Sequence, residues 1–124
     1  MVDGQRDWLT FYERCQYRTY YWKVVVPGEF PFDVRRIHPW QQKYVTDIYN
    51  VLKTCESVTK VILFGSSIEP YCTMQSDIDL AYEGDITPVA HLLYEIAEYG
   101  LDLVKLPVTN LNLQKDIEKG LRLI

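Results

Sequence analysis

From residue 39 onward the spacing of apolar positions switches between helical and strand periods, and each switch marks an element. Trp40, Tyr44, Val45, Ile48, Val51 and Leu52 keep one apolar face at helical spacing. With Pro39 suited to a first helical turn, this predicts a helix from about 39 to 55. Val58 to Phe64, with Val, Ile, Leu and Phe in a run ended by Gly65, reads as a buried strand. Gly65-Ser66-Ser67 is a turn, and residues 67 to 75 read as one helical turn followed by a loop. Ile78 to Tyr82 alternates and forms a second strand. Thr87-Pro88 opens a helix with the face Val89, Leu92, Leu93, Ile96 and Ala97, closed by Gly100. Leu101 to Leu106 is a third strand stopped by Pro107. A short helix from about Leu111 ends at Gly120, before Leu121-Arg122-Leu123-Ile124. The order α, β, turn, β, α, β, α predicts an α/β fold (α+β in some schemes), a sheet layered with helices.

The first 38 residues read differently. Trp8, Phe11, Tyr12, Cys15, Thr19 and Trp22 recur at helical spacing, with Asp7 as a cap. Val24-Val25-Val26 reads as a short strand or an extended exit. Pro27-Gly28-Glu29-Phe30-Pro31 marks a break. The expected organisation is an aromatic-rich extension over 1–38, packed on the core or at an interface, and one domain over 39–124.

Composition narrows the function classes. With 124 residues, one domain is the natural count. A 48% hydrophobic share argues against disorder, and a net charge of −4 argues against tight nucleic-acid binding by this chain alone. Three cysteines without a CxxC pair read as free thiols, not a disulfide framework or a zinc site. No apolar run reaches the length of a membrane span, and the polar start lacks a signal-peptide core. The expected setting is the cytoplasm, away from membranes.

The chemistry is concentrated in Phe64-Gly65-Ser66 and, ten residues later, Asp77-Ile78-Asp79-Leu80. On a strand Asp77 and Asp79 point the same way. Paired carboxylates repel, and a divalent cation between them relieves the repulsion. Glycine lets backbone approach a ligand closely, and the start of a helix after Ser66 suits a phosphate. Each piece alone is more often a plain turn or a solvated strand face. Together, in this order after a buried strand, they point to a phosphate cradle beside a metal site.

These segments, with Asp102 in Gly100-Leu101-Asp102-Leu103-Val104, resemble the signature of the DNA polymerase β-type nucleotidyltransferase superfamily. The resemblance runs from about residue 39 to the end, including Ile117-Glu118-Lys119-Gly120-Leu121-Arg122-Leu123-Ile124, and points to the small stand-alone minimal nucleotidyltransferases. It implies a mixed β-sheet flanked by helices. It implies that Gly65 and Ser66 hold ATP or another nucleoside triphosphate, and that Asp77 and Asp79 ligate two Mg²⁺ ions. Asp102 would complete one metal site and help activate an attacking hydroxyl. The implied reaction transfers a nucleoside monophosphate, AMP from ATP being the expected case, with pyrophosphate leaving. Members of this build accompany a HEPN-type helical toxin as antitoxin, and some adenylylate a tyrosine on it. The alternatives are a small-molecule enzyme of the aminoglycoside-modifying type and a non-catalytic antitoxin or binding module.

Small members often carry a basic residue directly after Gly-Ser, where this chain has Ser67. Phosphate charge must then be met by metal, by helix N–H groups, or by a lysine or arginine elsewhere. Lys105 does not fall on the face of Asp102. The remaining polar residues take plainer readings. His38 before Pro39 is a helix entrance, and His91 beside Glu95 is a surface residue. Arg35-Arg36 is a two-residue basic step, read as solvated, with nucleotide or partner contact as the alternative. Cys72 lies between the two motif halves without a visible base.

Overall fold

A computed structural model describes residues 19–124, and the predicted helix through Trp8 lies outside them as far as residue 18. Thr19 to Val26 forms neither helix nor strand. It runs as a strap whose backbone is claimed by side chains and by a 3₁₀ turn, Val34–Arg36, capped by Asp33. Trp22 N–H donates to the Arg35 carbonyl at 2.6 Å, and Val25 N–H donates to Gln42 Oε1 at 2.8 Å. The predicted extended exit is therefore held by a helix side chain, with no strand partner among the described residues.

Helix α1 spans Pro39–Leu52, three residues short of the predicted end. Strand β1 is Val58–Phe64, as the apolar run predicts. A 3₁₀ turn over Gly65–Ile68 leads toward β2, Ile78–Gly84. Helix α2 covers Ala90–Ile96, β3 covers Leu101–Lys105, and α3 covers Leu111–Glu118. Leu121–Arg122 adds a short fourth strand, β4, which the spacing of apolar residues did not predict.

The sheet order is β3-β2-β1-β4. β1 pairs antiparallel with β2 and β4, whereas β2 and β3 run parallel, so the sheet is mixed. The long α2 connection allows the parallel pairing, which a tight turn does not. Alternation divides the sheet into two faces. Val61, Leu63, Ile78, Leu80 and Leu101 meet Val45, Ile48, Leu52 and Leu93 of α1 and α2 in the main core. Phe64 and Ala81, with Ile62 and Val104 beside them, meet Ile117 and Leu113 of α3 on the other face. Each fully buried Leu or Ile contributes about 1.5–3 kcal/mol. Asp79 and Asp102 belong by alternation to the α3 face, at the end where apolar cover stops.

Two aromatic and apolar positions depart from the predicted faces. Trp40 is 52% exposed, and Leu92 is 39% exposed. The buried residues of α1 are Gln41, Gln42, Val45, Thr46, Ile48 and Leu52. Val45, Ile48 and Leu52 are as predicted, Tyr44 and Val51 pack partly buried against the core, and the two glutamines and Thr46 are additions. Gln41 and Gln42 are both buried and fully engaged. The Gln42 side-chain amide donates to the Lys23 and Ile37 carbonyls at 2.8 and 2.9 Å.

Replacing Gln42 with leucine leaves the buried Ile37 carbonyl without its partner and returns the part-buried Val25 N–H and Lys23 carbonyl to water. Urea denaturation is expected to show a loss of about 1–3 kcal/mol, the cost of one buried unsatisfied group. Trp40→Ala is expected within about 0.5 kcal/mol of the native chain. Equal effects from the two substitutions would contradict this account of the strap.

Candidate active site

The site is assembled where β1 ends and β2 and β3 begin. Phe64 lies opposite Asp79 in the β1–β2 register, and Asp79 lies opposite Asp102 in the parallel β2–β3 register. Directly after Phe64 the chain must turn, and Gly65 does so at φ +77°, a conformation costly for any residue with a Cβ. A methyl at Gly65 would collide with the Asp79 carboxylate. Ser66 Oγ donates to the Asp77 carbonyl at 3.3 Å. The Gly-Ser turn is thus packed on one aspartate and tied to the backbone of the other.

Asp79 and Asp102 are brought together, their carboxyl groups interacting side chain to side chain. Asp77 stands one residue before β2 and is exposed. Its carboxylate lies over Gly100, where φ is +132° and a methyl would strike it. Burial, then the charge and hydrogen bond of Asp102, then the charge of Asp77, push the Asp79 carboxyl up to about 7. No lysine or arginine is among the groups acting on it.

Two facing carboxylates without a counter-cation supply the hard oxygen ligands that Mg²⁺ prefers, with further positions left to water or phosphate oxygens. Among the described residues no set of three or more His, Cys, Asp or Glu side chains gathers as a metal centre. The structure therefore joins Asp79 with Asp102 and leaves Asp77 acting at longer range. A larger cavity of about 560 Å³, lined by Lys60, Ile62, Leu106 and Arg122, opens beneath α3. None of the three aspartates lines it.

Sequence patterning missed the residues that hold the loop between the motif halves. Gln41 Nε2 donates to the Ser76 carbonyl at 2.9 Å, just before Asp77. Its Oε1 accepts from the buried Ser67 hydroxyl at 3.2 Å. One helix side chain thus grips both ends of the segment 67–76. Their signal was a pair of glutamines on a helix between an aromatic and an apolar stripe. Tyr71, 69% exposed on the same segment, was also missed. Its hydroxyl is pushed up by partial burial and by the charges of Glu69, Asp116 and Asp79.

The other polar residues resolve individually. His38 caps α1, its Nδ1 accepting from Trp40 N–H at 3.3 Å, and burial lowers its pKa. Its ring lies between Trp22 and Trp40, with centroids 5.2 and 5.0 Å away. His91 is exposed. Lys105 bears on Asp85, away from the aspartate pair. Cys72 is buried, which pushes its thiol up. The solvated basic step needs correction at one position. Arg35 is exposed and pairs with Asp33 at 2.7 Å, but Arg36 is half-buried and donates to the Lys119 carbonyl at 2.8 Å. Its side chain is drawn inward toward the end of α3.

The pH dependence follows from Asp79. Its folded pKa lies above the ordinary carboxylate value of 3.8, so the folded chain keeps a proton that the unfolded chain releases. Stability of the metal-free protein is expected to fall as pH rises from about 4 to about 7 and then level off. Asp79→Asn is expected to flatten that slope and to be more stable than the native chain by about 1–2 kcal/mol near pH 8, after allowance for solvent screening. Unfolding curves across the pH range check this, and an unchanged slope would refute it. Gly65→Ala is expected to cost at least about 2 kcal/mol by the same measurement, through the left-handed backbone and the collision with Asp79. No family model and no curated protein matches this chain, and the chemistry of the site rests on its own geometry.

Proposed function

We propose that this protein is a Mg²⁺-dependent nucleotidyltransferase that moves a nucleoside monophosphate from a nucleoside triphosphate to a hydroxyl acceptor. The observation that carries the reading is Asp79 facing Asp102 across parallel strands, with the Gly65-Ser66 turn packed against Asp79 and tied to the Asp77 carbonyl. Mg²⁺ bound there would offset the carboxylate and triphosphate charges and polarise the phosphoryl oxygens. Asp79 and Asp102 are the residues that would hold it, with Asp77 adding its field. The lack of a side chain at Gly65 leaves backbone accessible beside them. In the transfer the acceptor oxygen bonds to the α-phosphorus, the bond from the α-phosphorus to the oxygen bridging to the β-phosphate breaks, and pyrophosphate leaves. The acceptor proton passes to an aspartate, and of the facing pair Asp102, exposed on an edge strand, is the more accessible.

The resemblance supports ATP as donor and a tyrosine of a HEPN-type helical toxin as acceptor. A second reading, a non-catalytic binding module, draws on Ser67. Where small members place a cation, this chain has a hydroxyl buried against Gln41.

Calorimetric titration with ATP, with and without Mg²⁺, separates the two. The native chain is expected to bind ATP only with Mg²⁺. Asp79→Asn with Asp102→Asn is expected to weaken binding beyond the roughly 100-fold that losing an outer-shell partner costs. Mg²⁺-independent binding, or none by the native chain, favours the binding module.

A further inference from the structure

The sheet face that carries α3 is only partly covered. α3 has eight residues, and beside it opens the groove of about 560 Å³, floored by Ile62, Leu106, Val108 and Ile117. Ile62, Leu106 and Val108 stay half-buried although they pack on the buried Phe64, Ala81 and Ile117. The groove lies toward the end of the sheet away from the aspartates: Lys60 and Glu83, paired there, are in its wall, whereas Phe64 pairs with Asp79 four residues further along β1. The rim carries both signs of charge, Lys60 and Arg122 with Glu83 and Glu118. Such a rim favours no single-sign ligand, so the occupant has to be recognised by its apolar surface.

The described chain begins at the border of this groove. Thr19 and Tyr20, its first residues, are in the wall of a smaller cavity of about 320 Å³. Glu118 and Gly120, at the end of α3, are in the walls of both. The entry is anchored there, since Trp22 N–H donates to the Arg35 carbonyl and the Arg36 side chain donates to the Lys119 carbonyl. Eighteen residues precede Thr19, and among them Trp8, Phe11, Tyr12 and Cys15 recur at helical spacing. From Gly120 beside β4 to Leu106 beyond β3 the groove crosses three inter-strand spacings, roughly 14 Å. The eleven residues from Trp8 to Arg18 measure roughly 16 Å as a helix. Each aromatic side chain among them brings about 150–250 Å² of surface to be buried. Being tethered, they meet the groove at an effective concentration on the order of millimolar.

We infer that residues 8–18 of this chain are the occupant of the groove, with Trp8, Phe11 and Tyr12 laid over Ile62, Leu106 and Val108. The extension thereby closes the second apolar layer of the sheet. This is independent of the nucleotidyltransferase reading.

Nuclear Overhauser contacts in the native full chain are the direct test. Ring protons of Trp8, Phe11 or Tyr12 are expected to meet the methyls of Ile62, Leu106 or Val108 within one molecule. In a mixture of labelled and unlabelled chains, contacts found only between molecules make the occupant a second copy and overturn the inference. Methyls that meet none of these rings and are broadened by a soluble paramagnet overturn it too, leaving the groove to a foreign partner. Val108→Glu puts a charge in the floor, and trypsin cleavage after Arg14 and Arg18 is then expected to be about 10-fold faster, as the undocked population rises. Leu111→Glu, at an exposed position of α3 outside the groove wall, is expected to cleave at the native rate. Equal cleavage of the native chain and a folded Val108→Glu overturns the inference, and if that variant does not fold the contacts in the native chain decide.

Discussion

Asp79 and Asp102 face each other because β2 and β3 run parallel in this register, and the rest of the site is arranged around that opposition. Two like charges are placed side by side where burial already disfavours charge. A purely structural sheet would gain by replacing either residue with an apolar one, since Phe64, Ala81 and Val104 continue the same face as hydrophobic cover. Keeping both lowers stability at neutral pH in exchange for a concentrated anionic centre. Gly65 belongs to the same arrangement, because its missing side chain is what lets the turn close onto Asp79.

Such a centre needs a rigid frame, and α1 provides it. Gln41 holds the turn through Ser67 and the approach to Asp77 through the Ser76 carbonyl. Gln42, one position along, holds the strap through Lys23 and Val25. Both amides are buried and paired on both sides, so a shift of α1 would disturb the strap and the turn together. Neither glutamine is placed at the aspartates; they act by fixing the segments that carry them.

How much of this was legible in sequence depended on which interactions were local. β1 was readable to the residue because a run of Val, Ile, Leu and Phe ended by glycine has one interpretation. The aspartate spacing singled out the candidate site because period-two alternation would put Asp77 and Asp79 on one side. The finer geometry was not local. Pairing of Asp79 with Asp102, and the separation of Asp77 onto Gly100, depends on a strand register set across a helix crossover. The face of α1 was legible at Val45, Ile48 and Leu52, but Trp40 was placed on it and the two glutamines were left off it because an indole weighs as a hydrophobe and an amide as polar. Burial reversed this, since an amide with all its partners met is accommodated inside and an indole at a helix start is not required there. The short strand β4 was missed because two residues carry no period.

The buried position of Ser67 bears on where the site's positive charge has to come from. Its hydroxyl is taken by Gln41 and its carbonyl by the His38 N–H at 2.7 Å, so its side chain faces the scaffold. A lysine or arginine there would have to bury its charge against α1 or break the grip that holds the segment. On the proposed reading, the charge of a bound phosphate therefore falls to a metal held by Asp79 and Asp102 and to groups other than residue 67.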